Sequence, residues 1–321
     1  MQTETPKIIA IAVSDLHLSL KAPRCRGAEP SWFLAMEKTL GQLREMQERF
    51  DVPVLCAGDI FDRWNAPAEL INWAIDHLPK EIYAIPGQHD LPQHNYEERN
   101  RSAFETLIKA NRIKGIYDRT DGNLLITSDP RNAVDYWCEI MGFPFGFPIQ
   151  KKNYNREKDS VDLRIAVGHE YFWKSGCEYP GAPKEKRLTK HKLPKGWSNY
   201  DLIILGDNHK GFCFKSGSTT VFNCGTFMRR KTDEIDYDPW VGLIYSDGHV
   251  EPRLLETKGE KIEVVEDQID AEIALEVEEF MRELGDLAVK SLDFREMVHR
   301  YCEENDVSDK AKKFLLVVMG D

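Results

Sequence analysis

The chain lacks any paired cysteine motif and any long apolar run. Its seven cysteines are odd in number and contain no Cys-x-x-Cys pair, which argues against a disulfide framework and a thiolate zinc site. The longest apolar stretch near the start, Ile8–Val13, is too short for a membrane span or a signal-peptide core. We therefore expect a cytoplasmic protein with reduced thiols and no membrane contact.

Excess positive charge is also missing, but the charge is unevenly distributed. The net charge is −11, of which residues 256–321, with 19 acids and 9 bases, contribute −10 and residues 1–255 contribute −1. Within the first part, residues 151–200 carry 12 bases against 6 acids. This basic stretch is either a solvated loop or a strip that positions phosphates, and composition alone favours neither interpretation.

Five short apolar runs are each followed by residues able to bind a metal. The runs are Ile8–Val13, Val52–Ala57, Ile82–Pro86, Ile165–Val167 and Leu202–Leu205. The residues that follow them are Asp15 and His17, Asp59, Gln88 and His89, His169, and Asp207 and His209. Such runs predict buried strands of an open sheet, whose ligands bind at the carboxyl ends of the strands. We therefore expect one shared metal site at one edge.

Helical patterns separate the first of these runs. One pattern ends at Phe50, a second extends from Pro67 to about Leu78, and a third follows Ser102, whose capping box is completed by Glu105. Alternating strands and helices predict a layered α/β domain.

The rest of the chain is less regular. Residues 129–162 fit neither the helical nor the strand periodicity of apolar residues, and we interpret them as an insertion or surface loop. The runs Thr219–Asn223 and Val241–Tyr245 are β-rich and typical of antiparallel segments. Beyond them the acidic tail shows helical periodicity. The sequence thus predicts a catalytic domain over residues 1–255 and a helical module over residues 256–321.

Together the motifs resemble those of a known family. The segments Asp-Leu-His, Gly-Asp-Ile-Phe-Asp, Gly-Gln-His-Asp, Gly-His-Glu and Gly-Asp-Asn-His are similar to the five motifs of calcineurin-like metallophosphoesterases. The resemblance spans about residues 8–255, and the segment from Asn223 to Arg230 resembles its counterpart in SbcD-type repair nucleases. It implies two β-sheets packed face to face and flanked by helices, with a small C-terminal helical module.

The resemblance also implies a ligand set for two divalent metal ions. The first metal is assigned to Asp15, His17, Asp59 and His209, and the second to Gln88, His169 and Asp207, with Asp59 bridging both. Oxygen donors mixed with imidazole suit Mn²⁺ first, with Mg²⁺, Fe or Zn²⁺ as alternatives. Two such ions clamp a phosphate and activate water for attack on phosphorus.

The catalytic roles are carried over from the same motifs. His89 falls at the non-ligand histidine of the family, which implies a proton donor to the leaving oxygen. Asp62 would orient His89, and Arg63 would touch phosphate as a bidentate donor, with a solvated residue at a helix start as its alternative. Asp90 is expected to be structural.

Two positions depart from the family pattern. Gln88 stands where an asparagine is usual, and Asp207 stands where a histidine is usual. A carboxylate at Asp207 adds a third anion and favours Mn²⁺ or Mg²⁺; alternatively, Asp207 misses the metal and the second site is weak. That alternative keeps open a non-catalytic DNA-binding scaffold for a partner, against which the intact His89 argues.

The sequence therefore predicts a metal-dependent DNA nuclease subunit of an SbcCD-like recombination and repair complex. The resemblance implies an SMC-like ATPase as partner, bound through the C-terminal helices, and it leaves a homodimer open. Lys184, Arg187 and Lys190 are the candidate DNA contacts within the basic stretch. A phosphomonoesterase or small-molecule phosphodiesterase with the same metals is the enzymatic alternative.

Overall fold

Two six-stranded β-sheets form the body of the protein. The computed structural model describes residues 5–117, 123–129, 134–151, 161–264 and Cys302, with the backbone alone for 123–129 and 134–136. The strands are β1 (Ile8–Val13), β2 (Val54–Cys56), β3 (Ile82–Ala84), β4 (Lys114–Gly115), β5 (Asn123–Asp129), β6 (Val134–Phe143), β7 (Leu163–His169), β8 (Leu202–Gly206), β9 (Phe212–Ser216), β10 (Thr219–Asn223), β11 (Trp240–Tyr245) and β12 (Val250–Leu254). The α-helices within residues 5–264 are α1 (Trp32–Phe50), α2 (Ala68–His77) and α3 (Ala103–Lys109).

The strand order places the predicted runs in two sheets. The first sheet has the order β12-β11-β1-β2-β3-β4, and the second has the order β5-β6-β7-β8-β10-β9. All five runs form strands, but β1, β2 and β3 lie in the first sheet whereas β7 and β8 lie in the second. The expectation of a single open sheet is therefore wrong, and the two-sheet fold implied by the resemblance is confirmed.

The outer strands are mostly antiparallel. β11 is antiparallel to β1 and to β12, as the β-rich run predicted. β10 pairs antiparallel with β9 but parallel with β8, so it extends the parallel part of the second sheet. The strands β1, β2, β3, β7 and β8 thus keep a parallel arrangement within each sheet, and their carboxyl ends carry the predicted ligands.

A hydrophobic core lies between the sheets. Ala10 and Ala12 of β1 pack there with Val167 of β7 and Ile204 of β8. Because side chains alternate along a strand, Ile11 faces the opposite core, formed with the helices.

The α-helices cover the outer face of the first sheet. Helix α1 begins after Ser31, whose Oγ accepts a hydrogen bond from the amide of Leu34, and it buries Met36 and Leu40 in the helix-facing core. Helix α3 begins after Ser102, whose Oγ accepts from the amide of Glu105, as the sequence predicted.

The outer face of the second sheet is covered by connecting segments. Phe172, Trp197 and Tyr200 from these segments pack against Ile203 and Leu205 of β8. In the described part of the chain the covering of this face is therefore loop and 3-10 helix, whereas the resemblance implied helices on both sides.

The interpretation of residues 129–162 as an insertion or surface loop is wrong for β6. This strand lies inside the second sheet, antiparallel to β5 and parallel to β7. Its Cys138 and Ile140 are buried between the sheets. Glu139 and the irregular Pro144–Pro148 segment interrupt the apolar pattern, which is why the sequence concealed a central strand.

The chain divides into compact units of residues 1–263 and 264–321. Residues after the predicted boundary at 255 still contact the first unit: Glu260 pairs with Arg26 and Arg229, and the amide of Glu263 donates to the carbonyl of Cys25. The helical module predicted over 256–321 lies outside the described residues beyond Val264, apart from Cys302, and stays a prediction. Within the described ranges, no helix has the length and apolar content needed to cross a membrane.

Candidate metal centre

The predicted ligands meet where strands of both sheets end. Three groups of side chains have ligand atoms within 4.8 Å of one another: Asp15 with His17 and His209, His17 with Asp59 and His89, and Asp15 with Asp59 and His169. Asp15 and Asp59 are fully buried. The expectation that these side chains converge at one edge is correct, although the edge is shared by two sheets.

Left-handed backbone turns the chain sharply at these strand ends. Asp15, His17, Asp59 and Asp207 have φ of 52°, 45°, 54° and 79°, values that cost non-glycine residues about 1–3 kcal/mol each. Main-chain hydrogen bonds hold the turns together: the amide of Asp15 donates to the carbonyl of Gly58, and that of His17 to the carbonyl of Asp59. The backbone thus orients the candidate ligand side chains before any metal binds.

Two glycines make room for the ligands. Gly58 has φ of 97°, and a Cβ there would lie 2.3 Å from Nδ1 of His169. A Cβ on Gly87 would lie 2.1 Å from Oδ1 of Asp59. A larger residue at either position would therefore displace a ligand.

Two histidines are held with Nε2 directed at the buried carboxylates. Nδ1 of His169 donates to the carbonyl of Ala57, and its Nε2 lies 3.4 Å from Oδ2 of Asp59. Nδ1 of His209 donates to Oε1 of Glu234 at 2.9 Å, and its Nε2 lies 3.9 Å from Oδ1 of Asp15. Metal-binding histidines are typically oriented by such a hydrogen bond at the other ring nitrogen.

Several buried atoms of the centre have no hydrogen-bond partner. They include Oδ1 of Asp15, Oδ2 of Asp59 and Oε1 of Gln88. An unsatisfied buried polar atom costs about 1–3 kcal/mol, and more when it is charged, so a native site needs a partner for each. Divalent cations are partners for carboxylate and amide oxygens, and the donor set therefore fits a metal centre.

Asp59 stays ionised despite its burial. Burial raises the pKa of this carboxyl, but the neighbouring His169, and then His17 and His89, outweigh it and hold the pKa below its usual value. For Asp15, burial prevails and raises the pKa to about 6. These two carboxyls need positive charge nearby, which a bound cation supplies.

Gln88 and Asp207 contact each other across the two sheets. Nε2 of Gln88 donates to Oδ1 of Asp207 at 2.8 Å, and the amide of Asp207 donates to Oδ2 of Asp15 at 3.3 Å. The two departures from the family pattern are therefore neighbours. Metal coordination by Asp207 stays a prediction.

His89 is oriented by backbone. Its Nδ1 donates to the carbonyl of Asp62 at 3.0 Å, whereas the Asp62 carboxylate pairs with Nη2 of Arg230 at 2.9 Å. The Asp62 side chain thus does not contact His89 as the sequence suggested; the residue orients the ring through its main chain. Because His89 also lies in one of the three ligand groups, its role as proton donor stays a prediction.

The residues predicted to contact phosphate lie at the surface. Arg63 is exposed, as are Lys184, Arg187 and Lys190, and the guanidinium of Arg187 stacks 5.3 Å from the ring centre of Trp173.

Asp90, by contrast, is buried. It accepts hydrogen bonds from the amides of Ile60, Phe61 and Gly87, and burial followed by the charge of Asp59 raises its pKa to about 7. As expected, Asp90 is structural, because it ties together the segments that follow β2 and β3.

Sequence reasoning missed Glu234. This buried residue also accepts from the amides of Arg230 and Lys231 through Oε2, so one carboxylate fixes both His209 and the segment around it. It stands 25 residues after His209, among Asp233, Asp236 and other acids. No signal in the sequence distinguishes it from them.

Comparison with known families identifies the fold type. A family model described as calcineurin-like phosphoesterase matches residues 10–211, more than half of the chain. The chain belongs to the calcineurin-like phosphoesterase family. It is therefore a metal-dependent phosphoesterase, and the Asp/His groups described above are its candidate ligands.

Solved structures show weaker similarity. The calcineurin-like phosphoesterase YfkN from Bacillus subtilis is 13% identical, with a TM-score of 0.46, covering 81% of this chain and 93% of that one. A 5'-nucleotidase from Candida albicans is 11% identical, with a TM-score of 0.47, covering 88% of this chain and 60% of that one. A putative 5'-nucleotidase from Staphylococcus aureus is 12% identical, with a TM-score of 0.43, covering 77% of this chain and 53% of that one. No curated protein sequence matches the chain.

Proposed function

We propose that this phosphoesterase is a DNA nuclease that uses two divalent metal ions, preferentially Mn²⁺. The observation that carries the proposal is the position of residues 184–190, a part of the basic stretch, beside the metal centre. Lys186 pairs with Glu170, the residue after His169. A DNA strand is a regular array of phosphates. Exposed basic side chains beside a phosphoesterase site therefore favour such a substrate over a single phosphate group.

The backbone holds this basic stretch in place. The amide of Trp173 donates to the carbonyl of Lys186, and the amide of Leu188 donates to the carbonyl of Trp173. Trp173 and Leu188 are buried, whereas Lys184 and Arg187 are exposed. The exposed charges therefore project from an anchored segment, which supports a role in positioning phosphates.

The chemistry follows from the donor set. Asp15, His17, Asp59 and His209 would hold one ion, and Gln88, His169 and Asp207 would hold the second with Asp59. Such ions, when bound, polarise a phosphoryl oxygen and lower the pKa of water. His89 has Nδ1 engaged by the carbonyl of Asp62, so its Nε2 is the nitrogen that would give a proton to the leaving oxygen.

Purified protein tests the proposal directly. Labelled linear and circular DNA, bis-p-nitrophenyl phosphate and p-nitrophenyl phosphate are incubated with Mn²⁺, Mg²⁺ or EDTA. We expect Mn²⁺-dependent cleavage of DNA and of the diester, with no cleavage in EDTA. If the small esters are cleaved while the DNA remains uncut, the protein is instead a small-molecule phosphoesterase.

Charge variants test the role of the basic stretch. Alanine at Lys184, Arg187 and Lys190 should weaken DNA binding. The slope of the logarithm of the binding constant against the logarithm of the salt concentration should become shallower by about 0.7 to 0.9 per lost phosphate contact. The matched control replaces three exposed lysines elsewhere on the surface: Lys80 before β3, Lys109 at the end of α3, and Lys114 at the start of β4. Equal effects in both triple variants would contradict a specific role for the basic stretch.

We also propose that the acidic tail binds an SMC-like ATPase. Its net charge of −10 over residues 256–321 makes it a poor DNA contact, while its apolar periodicity is suited to docking as amphipathic helices. Truncation should follow residue 263, because Glu260 forms buried ion pairs with Arg26 and Arg229. The truncated protein should keep hydrolysis of small esters and lose co-purification with the ATPase; full binding would contradict the proposal.

A further inference from the structure

Aromatic side chains lie along one side of the metal centre next to His89. We call His94, Tyr96, Phe145 and Phe147 the aromatic rim. The ring centre of His94 lies 6.4 Å from that of His89 and 6.0 Å from that of Phe145. The ring of Phe147 lies 5.0 Å from that of Tyr96 in an edge-to-face arrangement. The rim is therefore continuous with the candidate catalytic histidine.

A tight turn anchors the two phenylalanines. The amide of Phe147 donates to the carbonyl of Pro144 at 3.0 Å, and Gly146 between them has φ of 87°. The amide of Phe145 donates to the carbonyl of Pro86, which lies two residues before Gln88. The position of this turn is thus tied by backbone to a segment that carries predicted ligands.

The histidine of the rim is held by strained backbone. Gln93 and His94 are consecutive non-glycine residues with φ of 50° and 59°, although both are exposed. Because both side chains are exposed, packing in a core does not explain their left-handed backbone conformation. Strained residues of this kind cluster at ligand-binding positions.

The rim faces solvent and carries a cation. Phe147 is 43% exposed, whereas Phe143, four residues earlier, is 7% exposed. The guanidinium of Arg99 lies 4.3 Å from the ring centre of Tyr96. Exposed aromatic rings combined with arginine are the groups on which unpaired nucleic-acid bases stack.

We propose that the aromatic rim stacks unpaired bases of a DNA strand whose phosphates reach the metal centre. The inference rests on the proposed nuclease function and specifies its substrate as a single-stranded segment. Bases inside a duplex already stack on each other and offer no free face, whereas unpaired bases offer one to each ring. The rim therefore selects DNA in which the bases near the scissile phosphate are unpaired.

Fluorescence of 2-aminopurine tests the stacking. The probe is a cleavage-resistant phosphorothioate single strand carrying 2-aminopurine, mixed with the full chain and Mn²⁺. We expect wild-type protein to quench the probe, and Phe147→Ala and Phe147→Leu to bind it roughly tenfold more weakly, in line with the loss of one stacked base. Phe147→Tyr, which keeps an aromatic face, should bind like wild type.

A matched control is available on β6. Trp137 is 39% exposed and lies near the amino end of that strand, six residues before Phe143, away from the metal centre. Trp137→Ala should leave probe binding unchanged. A duplex carrying the same probe should be bound with little dependence on Phe147.

The outcomes separate this inference from the nuclease proposal. Absence of quenching by wild type, or wild-type binding by both Phe147→Ala and Phe147→Leu, would overturn the rim proposal even if ordinary DNA is cleaved. Quenching that depends on Phe147, without cleavage of the natural-linkage strand, would support the rim and overturn the nuclease proposal.

Discussion

The metal centre and the aromatic rim hold their side chains in opposite ways. In the centre, Asp15, Asp59 and His169 are almost fully buried and are oriented by main-chain turns and carbonyls. In the rim, His94 is exposed and Phe147 projects from a surface turn. A buried centre acts on whatever phosphate reaches it, and an exposed rim contacts the rest of the substrate. The difference predicts that changes in the centre affect every substrate, whereas changes in the rim affect DNA selectively.

Replacement of Asp59 should have the largest effect. Asp59 belongs to two of the three ligand groups, so Asp59→Ala should lower hydrolysis of every substrate by about 10³-fold or more, since several kcal/mol of transition-state stabilisation depend on the metal. Elemental analysis should show a loss of bound metal. Asp51→Ala is the matched control, because Asp51 has nearly the same φ, 53°, at the end of α1. Retained metal and full activity in Asp59→Ala would remove Asp59 from the centre.

Replacement of His89 comes next and sharpens the distinction between binding and chemistry. His89→Ala should keep metal content and DNA affinity while losing roughly 10²–10⁴-fold in rate, the usual contribution of a general acid. His249→Ala, at an exposed histidine, is the control. Loss of metal in His89→Ala would make His89 a ligand, as its place beside His17 and Asp59 allows.

Replacement of Glu234 tests a support of the centre that does not touch substrate. Glu234→Ala should weaken metal binding by about 10- to 100-fold, because it removes the acceptor that orients His209. Added metal should restore part of the rate. Glu251→Ala, which removes a surface carboxylate paired with Arg253, should bind metal like wild type. An unchanged metal affinity in Glu234→Ala would mean that the hydrogen bond from His209 to Glu234 does not support metal binding.

Replacement of Asp207 should give the smallest change. If Asp207 coordinates, Asp207→His should move the preferred metal from Mn²⁺ or Mg²⁺ toward Zn²⁺ or Fe, and Asp207→Ala should weaken one metal selectively. Titration of each variant with the four metals measures the preference. Identical metal profiles in both variants and wild type would show that the Asp207 carboxylate, which accepts a hydrogen bond from Gln88, does not coordinate a metal.

Local sequence patterns determined much of this protein. Short apolar runs followed by Asp, His and Gly predicted the five strand ends and the convergence of Asp15, Asp59 and His169. Ser102 marked a helix start correctly, because a cap depends on residues within one turn of it. The resemblance supplied the two-sheet fold, which periodicity alone had described as one sheet.

Tertiary structure alone decided the rest. It placed β6 between β5 and β7, brought Glu234 to His209, and aligned Phe145 with His94. Each of these depends on the path of the chain between residues far apart in sequence. Periodicity reports only which face of an element is buried. Which residues distant in the sequence come into contact is set by how the strands are ordered and how the two sheets pack.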